Sequence, residues 1–495
     1  MPSEWWRDAV FYEIYVRSFA DSNGDGFGDL PGITGRLPHL RDLGVDAIWL
    51  TPFYPSPGAD HGYDVADYVG VDPLFGTLDD FDELLSSAHA TGLRVIVDIV
   101  PNHTSSAHAW FAGDRSRYVT VPATGSLPNN WPSNFGGPAW TLDEERDEYY
   151  LHLFAPEQPD LDWHNPQVHA DFDEILRFWL DRGVDGFRID AAHGMCKQLD
   201  GSPSSSDDDP RFDQDDVHDV HRMIRATLDH YPERVAIGAV GVRNAARFAR
   251  YVRQDELHLA VDTQLAASRF DAEEVRAAIE DCLKAVGSVG AAASWLLSDH
   301  DVSRPASRYG AGPVGTARAR AMALVQLALP GAAYLYNGDE LGMPDVDLPD
   351  EALQDPIWER SGHTERGRDA CRIPVPWSGT APSYGFSPRA ETWLPMPEGW
   401  ESLTAAAQED DPGSVLSLYR AALTLRRTSP AFAGESLDWV PAPDGCLAFR
   451  RPGGLVCLLN LSGAAVPLPE GRVLLASADT AGGVLPDDAA VWLHA

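Results

Sequence analysis

Short apolar runs recur along most of the chain, and amphipathic stretches separate them. The runs are AVFYEIYV (9–16), VDAIWLTP (45–52), LRVIVDIV (93–100), VDGFRID (184–190), VAIGAV (235–240), LHLAV (257–261), ASWLLS (293–298) and AAYLYN (332–337). Such near-continuous apolar character is what strands buried on both faces require. Between them, LDDFDELLSSAHATG (78–92) and VHADFDEILRFWLDRG (168–183) carry apolar residues at helical spacing. Eight strands alternating with helices predict an α/β fold, a closed (β/α)₈ TIM barrel. An open doubly wound sheet would call for a GxGxxG turn after an early strand, and the chain has none.

The alternation breaks in two places. From Asn102 to about Val168 the chain is rich in Pro, Asn, Gly and aromatic residues, as in PNNWPSNFGGPAW (128–140). That length predicts an inserted subdomain rather than a loop. A second long connection, roughly 338–380, follows the eighth run. After Pro430 come β-like runs broken by Gly and Pro: SLDWV, CLAFRR, GLVCLLNLS, GRVLLAS and AVWLHA. The expected organisation is therefore a barrel over 1–103 and 169–429, an insert over 104–168, and a C-terminal antiparallel β domain over 430–495.

Charge narrows the partners. The 495 residues hold 38 basic and 75 acidic side chains, a formal net of −37. A surface that negative repels polyphosphate, so neither nucleic acid nor an anionic membrane is an expected partner. No apolar run approaches a membrane span, and the opening MPSEWWRDAVFYEIY lacks the layout of a signal peptide. Five cysteines without CxxC spacing read as reduced thiols of a cytoplasmic protein. An uncharged small-molecule substrate fits best.

In a barrel, strand C-termini and the loops after them build the site. The third run ends in Asp98-Ile-Val-Pro-Asn102-His103, the fourth holds Arg188 and Asp190, and the seventh leads into Asp299-His300-Asp301. The loop after the second run brings Asp60, His61 and Tyr63. Carboxylates, histidines and an arginine without phosphate-binding glycines suit acid/base and nucleophilic chemistry on a neutral polyol.

These segments resemble a known family. DIVPNH (98–103), GFRIDAAHG (186–194) and LSDHD (297–301) look like signature segments of the α-amylase superfamily, glycoside hydrolase family 13. AVFYEIYVRSFADSNGDGFGDLPGI, ADHGYDVADY (59–68), NNWPSNFGGPAW and GRDACRIPVPW (367–377) are similar to its α-glucosidase and oligosaccharide-cleaving branch, which includes sugar isomerases. The resemblance implies that Asp190 is the nucleophile of a retaining reaction and that Asp301 grips sugar hydroxyls at the transition state. It implies that Arg188 keeps Asp190 ionised and that Asp60, Tyr63, His103 and His300 line the pocket of a non-reducing glucose. It further implies that Asp60 and Arg372 pair to close that pocket. Ala191, after the nucleophile, resembles enzymes preferring α-1,4 linkages. Relatives also hold a structural Ca²⁺ or Mg²⁺ in the turn that here reads Asp21, Asn23, Asp25, Phe27, Asp29, whose alternating oxygen ligands suit a hard cation. No organic cofactor is implied.

One part of the pattern fails. Relatives place the catalytic acid/base, a glutamate, in a segment like IGEVW; here Ile237-Gly238-Ala239-Val240-Gly241 puts Ala239 in its place. A methyl group transfers no proton. Gly241 replaces an aromatic residue, Asp299 replaces the asparagine of NHD, and Val261-Asp262-Thr263 stands for FNF. A deliberate alanine substitution accounts for one departure; natural divergence accounts for all four. Divergence leaves open an enzyme using an activated glycosyl donor, or a sugar-binding protein without turnover. Asp299 and Glu256 are the carboxyls that could take over the lost role.

Overall fold

The computed structural model describes residues 4–200 and 209–495; stretches 1–3 and 201–208 of the expected barrel lie outside them. Eight parallel strands form the barrel: β1 (Val10–Ile14), β2 (Ala47–Leu50), β3 (Arg94–Ile99), β7 (Gly186–Ile189), β8 (Val235–Ala239), β9 (Leu259–Val261), β10 (Ser294–Leu296) and β11 (Ala332–Tyr336). Their order is β10-β11-β1-β2-β3-β7-β8-β9, and a parallel bridge between Asp262 and Trp295 joins the two ends. Each falls within one of the eight apolar runs.

Strand alternation explains why the runs are apolar on both faces. On β1, Val10, Tyr12 and Ile14 pack outward among the helices. Phe11 points inward and packs with Trp49, Ile237, Leu259, Leu296 and Tyr334 in the barrel interior. Its ring stacks on Tyr334 at 4.9 Å between centroids. Side chains fill the lower barrel, and a larger cavity opens at its C-terminal mouth.

The helices start and stop where local chemistry dictates. Thr77 and Asp80 form a reciprocal capping box at the head of Leu78–Ala90. Asn165 caps Pro166–Arg182, with Pro166 in the first turn and Gly183 left-handed at the end. Gly186 then begins β7; a Cβ there would lie 2.1 Å from the Val235 carbonyl oxygen, so only glycine lets β7 and β8 pair.

The insert carries β4 (Thr120–Pro122), β5 (Trp140–Asp143) and β6 (Glu148–Leu151), an antiparallel sheet in the order β4-β6-β5. It leans over the barrel mouth, tied down by a bridge between His103 and Asp160. The C-terminal domain holds β12 (Asp438–Trp439), β13 (Cys446–Arg450), β14 (Leu455–Asn460), β15 (Val466–Pro467), β16 (Arg472–Ala476), β17 (Val484–Leu485) and β18 (Ala489–His494). Its main sheet is antiparallel, β12-β13-β14-β18-β16. Trp492 fixes it to the barrel, donating from Nε1 to the Leu324 carbonyl at 2.9 Å. No described helix is long and apolar enough to cross a membrane.

Candidate active site

A cavity of about 1070 Å³ opens at the C-terminal mouth of the barrel. Its lining includes Asp60, Tyr63, His103, Arg188, Asp190 and Asp301. It also includes Ala239, Asp299, His300 and Arg368. Groups from distant parts of the sequence thus meet in one place.

Asp190 directly follows β7, two residues after Arg188 and on the same face of the chain. The Arg188 guanidinium donates to Asp190 Oδ1 at 2.6 Å and to both oxygens of Asp98 at 3.1 Å. Trp49 Nε1 and the Tyr63 hydroxyl complete the shell around Asp98, at 3.3 and 3.0 Å. Burial pushes Asp98 up to about 7 against the pull of Arg188, with Asp190 adding repulsion. Burial raises Asp190 as well; Arg188 opposes that rise without cancelling it. The arginine orients Asp190, but it does not by itself restore an ordinary carboxylate. Ala191 follows with φ of +43°, a left-handed backbone rare for a residue with a side chain.

The opposite rim is built on His300. Its ring stacks between Tyr15 and Tyr63, at 5.5 and 5.2 Å, and Nδ1 meets Glu13 Oε1 at 2.5 Å. Burial pushes His300 down to about 3, against the pull of the Asp301 charge. Asp301 Oδ1 accepts from Arg372 at 2.8 Å and from Arg368 at 3.0 Å. Burial disfavours its charge, but His300, Arg368 and Arg372 outweigh that and hold Asp301 below the usual carboxylate range. Asp301 is thus a fixed negative charge facing the cavity.

The structure corrects the expected Asp60–Arg372 pair. Asp60 Oδ1 accepts from Arg368 at 2.8 Å, while Arg372 serves Asp301 and the His300 carbonyl. Both arginines lie in GRDACR, and the four-residue offset decides which reaches across. Gln158 of the insert donates to Asp60 Oδ2 at 3.1 Å and contacts His103 Nε2 at 3.0 Å. Burial pushes Asp60 up to about 6 and His103 down to about 4. Asp98 was listed at its strand end without a role, and Glu13, Gln158 and Arg368 were not singled out from the sequence. Glu13 and Arg368 stand inside the quoted motifs; Gln158 carries no local signal.

The catalytic-domain model of α-amylase matches residues 13–434, and a domain of unknown function, DUF3459, matches 435–492. A probable α-glucosidase of Rhizobium meliloti is 40% identical, over 93% of this chain and 90% of that one. A probable oligo-1,6-glucosidase of Bacillus subtilis is 34% identical, over 97% and 96%. Among solved structures, the α-glucosyl transfer enzyme XgtA superposes with a TM-score of 0.90 at 38% identity, covering 100% of this chain and 99% of that one. This chain belongs to the α-amylase family. It falls in the branch of α-glucosidases and oligo-1,6-glucosidases.

One wall of the cavity in this α-amylase family member is lined by small side chains. Ala239 ends β8 and lines the cavity with Asp190, and Val240, Gly241, Val242 and Val261 continue that surface. The His193 ring leans on it: a Cβ on Gly241 would lie 3.0 Å from ring atoms Cε1 and Nε2. Glu256 plays no part here. It is fully buried and engaged by His218, Arg222 and Arg253, outside the cavity lining.

The acidic turn after β1 is ordered by its own backbone. Asp21 accepts the N–H groups of Gly24 and Gly26, Asn23 that of Asp25, and Asp25 that of Phe27. Asp29 accepts from Ser22 and Gly32. Burial and the Asp21 charge raise Asp29. Among the described residues no basic side chain pairs with Asp21, Asp25 or Asp29.

Proposed function

We propose that this protein transfers the non-reducing α-glucosyl unit of small α-glucosides through a covalent adduct on Asp190, to water or to a sugar hydroxyl. The observation that carries the reading is the pairing of a positioned Asp190, 2.6 Å from Arg188, with an Asp301 held charged by Arg368 and Arg372 in the same cavity. Asp190 attacks C1, and Asp301 steadies the oxocarbenium-like transition state. The Asp60–Arg368 bridge closes the far end, favouring a terminal glucose over an internal one. The solved isomaltulose synthase of Erwinia rhapontici, here 29% identical with a TM-score of 0.91, holds sucrose as its natural substrate and supports a disaccharide-sized donor. Ala191 favours α-1,4 linkages.

Ala239 supplies no proton, so a donor whose leaving group needs none reacts most readily. Incubation with α-glucosyl fluoride should add one glucosyl unit to Asp190, seen by intact-protein and peptide mass spectrometry. An unlabelled protein after long incubation would overturn the reading. The bare β8 wall favours a second reading, sugar binding without turnover. Calorimetric affinity for maltose with no product from any α-glucoside would decide for it.

The turn at Asp21–Asp29 offers only oxygen donors, the kind a hard divalent cation takes, and among the described residues its carboxylates have no basic partner. We assign Ca²⁺ or Mg²⁺ there as a structural ion held by Asp21, Asn23, Asp25, Asp29 and the Phe27 carbonyl, away from the chemistry. A chelator should lower Tm by a few degrees, reversed by added Ca²⁺; an unchanged Tm refutes it. All five cysteines are free thiols, which supports a cytoplasmic location.

A further inference from the structure

The cavity lost a carboxyl at Ala239, but it holds another that the mechanism above does not use. Asp299 lies in the loop after β10, two residues before Asp301, and lines the same cavity as Asp190 and Ala239. Its Oδ1 accepts the backbone N–H of Asp301 at 2.9 Å, which fixes the carboxyl in place. We propose that Asp299 is the proton donor and acceptor of this site, reaching the leaving oxygen through the space that the Ala239 methyl leaves open. The proposal rests on Asp190 as nucleophile.

Three observations support it. First, negative charge is crowded around Asp299. Glu13 faces it from β1 and Asp301 from its own loop; Arg188 and Arg372 oppose them. Carboxyl groups outnumber guanidinium groups there, so protons must remain bound. Second, the two neighbours are driven apart: burial and Asp301 push Asp299 up to about 6, while Asp301 is held low. A pair of titratable groups separated in this way gives one proton carrier and one permanent charge. Third, the other raised carboxyls are spoken for. Glu13 and Asp98 have no exposed surface and are bonded to His300 and to Arg188, and Asp60 is bonded to Arg368 and Gln158.

His193 is the rival on the β8 wall. Its Nδ1 accepts the Gly241 N–H at 3.2 Å, and burial lowers its pKa. A neutral imidazole would have to become an anion to act as an acid, so His193 carries no usable proton. In the first step Asp190 attacks C1, the C1–O bond breaks, and the leaving oxygen takes the Asp299 proton, directly or through one water. In the second, water or an acceptor hydroxyl attacks C1 and returns a proton to Asp299 as the bond to Asp190 breaks.

The test compares the full chain with D299N on two donors: maltose, whose leaving group needs a proton, and α-glucosyl fluoride, whose leaving group does not. D299N should lower kcat/KM on maltose by about 10²–10⁴-fold, yet change the rate of Asp190 labelling by fluoride less than about threefold. Azide should restore turnover of the fluoride by D299N and yield α-glucosyl azide. A239E/D299N, with a carboxyl returned to β8, should recover maltose cleavage. The parent's kcat/KM on maltose should fall above about pH 6, and D299N should lose that limb. Equal losses on both donors mean a structural role and overturn the proposal, as does maltose turnover unchanged by D299N. If the parent is labelled by the fluoride but cleaves no maltose, the proposal falls while the Asp190 reading stands. If the parent is never labelled, both fall.

Discussion

Two walls of one cavity follow opposite rules. The wall from β3, β7 and the loop after β10 is crowded with charge, and each charged group is held: Asp98 and Asp190 by Arg188, Asp301 by Arg368 and Arg372. The wall from β8 and β9 carries Ala239, Val240, Gly241, Val242 and Val261, with Arg243 and Arg247 only further along the loop after β8. In the proposed reaction the first wall binds the sugar ring and attacks its anomeric carbon, and the second leaves room beside Ala239 for the departing group. The contrast sets a mutually supported network of charges against a wall of small side chains in the same cavity. Buried ion pairs resist piecemeal loss, because deleting one partner strands the other in a low-dielectric site.

Variants on the charged wall should therefore cost far more than variants on the bare one. The largest effect is expected from D190N, which should abolish labelling by α-glucosyl fluoride and lower its turnover by roughly 10⁴-fold or more. Residual labelling elsewhere would break the comparison. Next, R188A leaves Asp98 and Asp190 buried without a counter-charge and should lose about 3–5 kcal/mol in urea denaturation. A239G, on the other wall, should stay within about 1 kcal/mol apart from backbone entropy; equal losses would mean that the two walls do not differ in kind.

The pH dependence gives a third measure. His103 is buried and neutral, lowered from its ordinary value to about 4. Unfolding lets it bind a proton near pH 6.5, so its contribution is present above that pH and is lost as pH falls towards about 4. Between pH 6.5 and 5 it should account for about 2 kcal/mol of falling stability. H103Q should remove that part of the slope; an identical slope refutes the assignment. The smallest effect separates the two arginines. R368A, which frees Asp60, should raise KM for maltose about tenfold and improve relative activity on longer maltooligosaccharides, whereas R372A should act mainly on kcat through Asp301. The reverse pattern would restore Arg372 as the partner of Asp60 in function.

Local chemistry made much of this visible in the chain itself. Eight apolar runs fixed the number of barrel strands, because a strand buried on both faces has no other composition available. Arg188 and Asp190 stand two residues apart, and a strand puts such residues on one face, so their pairing followed from spacing.

Pairing across the barrel was another matter. Asp60 and Arg368 are 308 residues apart, and Glu13 and His300 are 287. Which of two arginines in GRDACR meets Asp60 depends on the path of the long loop after β11, and that path is set by packing rather than by any local preference. Likewise both Asp299 and Glu256 were carboxyls free to serve, until the fold turned one into the cavity and sealed the other against His218. The sequence determined which strands form and which groups stand at their ends, through interactions a few residues long. Only closure of the barrel decided which charges became neighbours, because electrostatic energies depend on separation in space and on burial, and neither is written along the chain.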